Sequence, residues 1–97
     1  MVKHVILWKF KGMDKPEEQK ALIKENLESL KGQIPGITDI KVTLGALETS
    51  NSDAMLEVMC EDFEALKGYA KNPLHVDVAE TYIRPYIETR LAFDFEI

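Results

Sequence analysis

At 97 residues, with 45% apolar and 30% charged side chains, the chain has the size and balance of one compact globular domain. Its net charge of −5 argues against an electrostatic nucleic-acid binder, which needs a basic stripe to replace phosphate counterions. Its apolar runs fall far short of the ~20 residues that a helical membrane span requires. The single Cys60 can form no internal disulfide, and with no leader-like start the expected location is the reducing cytoplasm. Folding at this length buries only about 60% of the extended chain's surface, so further burial through association is favoured.

Residues 2 to 11, VKHVILWKFK, are rich in β-branched and aromatic side chains, and His4, Ile6, Trp8 and Phe10 alternate with Lys3, Val5, Leu7 and Lys9. This is the first strand, with the His4 face the more apolar. Asp14-Lys15-Pro16-Glu17 then offers an N-cap acid, a first-turn proline and a Glu placed to close a capping box. The helix that follows carries Ile23, Leu27, Leu30 and Ile34 as one stripe until Pro35-Gly36. A second strand is expected over about 37–46 with Ile40, Val42 and Leu44 on one face, and a polar loop through Glu48–Asp53 leads to a third, AMLEVMCE. A second helix starts near Asp62 and breaks before Pro73, because proline disfavours helical geometry at Asn72. Another helical piece spans about 74–83, Arg84-Pro85 ends it, and RLAFDFEI is the fourth strand.

The predicted order β-α-β-β-α-β is the α+β, ferredoxin-like split βαβ arrangement. Right-handed crossovers put both helices on one face of the four-stranded antiparallel sheet. The central strands are nonetheless apolar on their other face as well, at Val5, Leu7, Met55 and Met59. A sheet face of that kind needs cover, and the expectation is a homodimer with sheets packed face to face. Met13, Met55 and Met59 read as gap-filling or interface residues.

"VKHVILWKFK", "IPGI", "NPLHV" and "FDFEI", in that order along nearly the whole chain, resemble the stress-responsive A/B barrel (Dabb) family. That resemblance implies a ferredoxin-like protomer forming a homodimeric α+β barrel. Within the family, the chain is similar to the plant polyketide cyclases that make olivetolic acid. The similarity falls on His4 in the opening "VKH", on Tyr69, and on His75 after the Pro-X step. It implies His75 and Tyr69 as an acid–base pair in a cleft between helices and sheet, with His4 facing the same cleft. The pattern departs where that branch has bulky aromatics and a third-strand histidine, since Ile23, Lys24, Leu27 and Ala54 stand there.

The chemistry suits such a cleft: an imidazole can take a proton from an activated carbon while a phenol polarises a carbonyl, as in cyclase or lyase reactions. The cleft is expected to hold a small, mostly apolar molecule against Trp8, Leu27, Ile23 and Phe93. The bland alternative is a packed helix corner: a Tyr on an amphipathic helix is often core, and a His beside an X-Pro step often bonds free backbone groups. Function is then a non-enzymatic structural or stress-protective dimer. A second alternative is a small monooxygenase-like enzyme of the same superfamily. No metal or other cofactor is expected: the two histidines with Asp77 lack ligand spacing, nothing specifies haem, and Glu61 and Asp62 oppose a Cys60 thiolate.

Overall fold

The computed structural model describes residues 1–97. Four strands, β1 (Val2–Phe10), β2 (Ile37–Thr43), β3 (Ala54–Cys60) and β4 (Ile87–Glu96), form one antiparallel sheet in the order β2-β3-β1-β4. Three helices, α1 (Pro16–Glu28), α2 (Phe63–Lys71) and α3 (Pro73–Val78), cover one face. This is the expected ferredoxin-like layering. The core between the layers takes Ile6 and Trp8 from β1, Leu56 and Val58 from β3, Ile23 and Leu27 from α1, and Leu66 and Tyr69 from α2.

Local chemistry sets the helix ends, with one departure from the expected cap. Pro16 opens α1, but Lys15 holds the N-cap position and makes no side-chain cap bond, so Asp14 does not cap the helix. Glu17 and Glu18 instead place negative charge in the first turn, where the helix dipole favours it. The regular helix also stops earlier than the apolar stripe, at Glu28. Leu30 and Ile34 stay buried in the turns that follow, where Gly32 takes φ 82°. At the end of the helix Glu28 reaches sideways to β2. Its carboxylate accepts from the Val42 backbone N–H at 2.9 Å and from Lys24 Nζ at 2.8 Å, and Lys24 donates to the Val42 carbonyl at 2.7 Å. One outward-facing peptide pair of edge strand β2 is thereby satisfied by side chains, which blunts that edge.

The helix break falls where proline predicts it. Asn72 has ψ 129°, outside the helical range, and its side chain accepts from the Leu74 N–H at 2.9 Å as the cap of α3. Asp62 caps α2 through Ala65 N–H at 2.8 Å. Beyond α3 the chain widens into one π-helical turn, Ala79–Ile83, then a short 3-10 turn, Arg84–Tyr86. Isolated π turns of this kind bulge a helix and often border functional sites. Gln19 Nε2 on α1 ties the bulge down by donating to the Tyr82 carbonyl at 2.9 Å.

β2 ends at Thr43 rather than near 46, and β4 begins at Ile87, three residues before the expected start. The β4 register corrects one sequence expectation. Phe93 pairs with Val5, and His4 pairs with Asp94, so Phe93 stands on the sheet face away from the helices and does not line the cleft. Leu91 (61% exposed), Phe93 (69%) and Ile97 (68%) join Val5, Leu7, Met55 and Met59 on that uncovered face.

Candidate functional site

β1 alternates strictly, so His4, Ile6 and Trp8 all turn towards the helices. The π turn holds Ala79 and Ile83 opposite them, and the 3-10 turn that follows adds Arg84. Between the two lies a cleft of about 510 Å³, within the range of small-molecule sites. His4, His75, Trp8 and Leu27 line it, as does Arg90 from β4. Ile23 does not: it is fully buried in the core beneath α1.

His4 is buried, and its Nδ1 is 2.5 Å from Asp94 Oδ1. A carboxylate on Nδ1 fixes the neutral imidazole as the Nδ1–H tautomer and leaves Nε2 as a lone-pair acceptor. Nε2 has no protein hydrogen bond and is not among the closed-off polar atoms, and His4 is one of the residues that line the cleft. Base, orienting acid and cavity therefore line up as general-base chemistry requires. Asp94 is the residue that reading β4 by itself misses. In isolation "FDFEI" shows only a polar position alternating with aromatics; the β1–β4 register turns it into the partner of His4.

His75 and Tyr69 stack, with ring centroids 4.2 Å apart and planes inclined at 35°, and the His4 ring meets Tyr69 edge-on at 6.1 Å. The three predicted rings thus come together, but unequally. His75 is half-buried and lines the cleft. Tyr69 is 1% exposed, sits behind the two imidazoles, and its hydroxyl is closed off without a partner, as is His75 Nδ1. Desolvation by burial lowers the His75 pKa from the usual 6.5. The Ala70 backbone opposes this without bonding Nδ1, and the charges of Arg84, His4 and Arg90 reinforce it. His75 is accordingly a neutral imidazole near pH 7. Burial likewise raises the Tyr69 pKa far above the ordinary phenol range, so its hydroxyl stays protonated. No group of three or more His, Cys, Asp or Glu side chains is arranged to hold a metal ion.

The family model described as the stress responsive A/B barrel domain matches residues 2–97. The chain belongs to that family, Dabb. A dimeric protein of unknown function and ferredoxin-like fold from Bacteroides fragilis superposes on this Dabb chain with a TM-score of 0.87. It is 27% identical, over 99% of this chain and 95% of that one. Two enzymes share the fold at lower identity. The hydroxynitrile lyase of Passiflora edulis is 14% identical with a TM-score of 0.73, over 99% of this chain and 92% of its own. SnoaB, a cofactor-independent oxygenase from Streptomyces nogalater, is 17% identical with a TM-score of 0.72, over 99% and 91%. At those identities the likeness is one of fold. No curated protein matches the sequence.

Proposed function

We propose that this Dabb protein works as a homodimer whose clefts each bind a small, mostly apolar molecule and move a proton at an activated carbon of it. The observation carrying this reading is the cleft itself: an open cavity onto which two imidazole faces converge, one of them oriented by a carboxylate. His4 is the base, with Asp94 holding its tautomer and balancing the imidazolium formed on proton uptake. His75, neutral at physiological pH, is the second acid–base group. Tyr69 supports the two rings by packing and reaches a bound molecule only if His75 turns. Trp8 and Leu27 supply the apolar walls. Proton abstraction of this kind is common to cyclase and lyase reactions.

The homodimer accounts for the sheet face the helices leave bare. Leu91, Phe93, Phe95 and Ile97 form an apolar band there with Val5, Leu7 and Met55, bordered by the Lys3–Glu57 ion pair beside Met59, and large exposed apolar side chains grouped in this way mark an interaction surface. The Bacteroides fragilis relative is described as dimeric, in keeping with this.

Deuterium exchange tests the chemistry without a known pathway. The protein is incubated in D2O with small aryl and alkyl ketones, and exchange at the carbon beside the carbonyl is followed by NMR. Exchange above buffer in the wild type, lost in His4→Ala and His75→Ala with folding intact, is the expected result. Exchange no faster than buffer for every ketone, or unchanged in both variants, refutes the acid–base role and leaves the structural, stress-protective dimer as the reading.

A further inference from the structure

Resting on the cleft as a ligand site, we infer that its ligand is a monoanion, an apolar carboxylate of medium length, and that Arg90 seats the charge. The chain carries 17 acidic against 12 basic side chains, yet no carboxylate lines the cleft while two arginines do. Arg84 is already engaged by Glu80 at 3.3 Å. Arg90 has no hydrogen bond or ion pair with any protein group, so its planar donor fork is free for an incoming carboxylate.

The register explains its position. Arg90 pairs with Trp8 and Asp94 pairs with His4, so both β4 residues share the helix-side face, at opposite ends of one segment of the β1–β4 ladder. Four residues of strand separate Arg90 from the His4 end, about 13 Å of backbone. An acid held by Arg90 that extends past Trp8 brings its far end to the two imidazoles. A single unpaired guanidinium in a chain of net charge −5 matches one negative charge and gives poor compensation for a phosphate dianion.

The test compares 4-phenylbutyrate with its uncharged counterpart 4-phenylbutan-1-ol, by calorimetric titration and by fluorescence of Trp8, the chain's one tryptophan and a wall of the cleft. We expect the carboxylate to bind roughly fivefold or more tightly than the alcohol at low salt, with the gap narrowing as salt rises. Arg90→Gln is expected to abolish that gap, with far-UV circular dichroism showing that the variant is folded. Equal binding of the two probes by the wild type, or a gap that survives in Arg90→Gln, overturns the assignment of a carboxylate to Arg90 and leaves the cleft standing as a neutral-ligand site. If neither probe perturbs Trp8 at millimolar concentration, the ligand site itself is refuted and this inference falls with it.

Discussion

Replacing Phe93 with alanine is expected to dissociate the dimer without harming the protomer. The ring is 69% exposed in the isolated chain and packs mainly against Phe95, centroids 5.8 Å apart, so little of the protomer's core depends on it. With roughly 200 Å² for a phenylalanine side chain, about 140 Å² is available for burial by a partner. At ~25 cal/mol per Å² that is about 3.5 kcal/mol, of which the alanine methyl retains about a quarter, leaving roughly 2.5 kcal/mol. A two-fold interface contains the residue twice, so the dimer loses about 5 kcal/mol, a three- to four-decade rise in the dissociation constant. Sedimentation velocity over a concentration series measures this directly, with far-UV circular dichroism confirming the fold. Leu47→Ala is the control: that side chain is 77% exposed but lies in the β2–β3 loop, off the sheet. A Phe93→Ala protein that dimerises as tightly as the wild type, or a Leu47→Ala protein that dissociates equally, refutes face-to-face packing of the sheets.

Removing the Tyr69 hydroxyl as Tyr69→Phe is expected to leave stability unchanged or raise it by about 1 kcal/mol, since an unpartnered buried hydroxyl carries a desolvation cost; thermal unfolding decides, and a clear loss of stability shows that the hydroxyl has a partner. The depressed His75 pKa means the unfolded chain binds the extra proton first as pH falls. His75 should therefore remove stability as pH drops below 6.5, down to its lower folded-state midpoint. Denaturant unfolding between pH 7.5 and 5 should show that slope flattened in His75→Phe, and an NMR titration midpoint at or above 6.5 refutes the burial argument. Asp94→Ala should release the His4 tautomer, read from its ring ¹⁵N shifts, with the Nδ1–H form giving way to a mixture; unchanged shifts refute the carboxylate's orienting role. Gly36→Ala should cost roughly 2–4 kcal/mol: the backbone there has φ 77°, and the added methyl meets Ala65 Cβ at 2.5 Å. A melting temperature within a degree or two of wild type shows that the α2 start yields instead.

The layering was legible because each element carries its own local cause. Pro16 and Asp62 start helices, the Asn72-Pro73 step breaks one, and alternation along β1 separates His4, Ile6 and Trp8 from Val5 and Leu7. The need for a second layer over the sheet was equally local, because Val5, Leu7, Met55 and Met59 are apolar where the topology provides no helix. The candidate rings His4, Tyr69 and His75 were nameable by type and by family resemblance, and chain folding does bring them together. Their division of labour was not nameable. Which nitrogen of His4 is held, and that Asp94 holds it, follows from the pairing register of strands ninety residues apart in sequence. That register also sends Phe93 to the outer face and Arg90 to the inner one, and a shift of one residue exchanges the two. Sequence by itself determined what depends on near neighbours: helix starts and breaks, face alternation, and the unmet demand for cover. Tertiary structure alone decided what depends on register and burial: an open cleft, a hydroxyl shut behind two imidazoles, and a free guanidinium at the far end of the same strand pair.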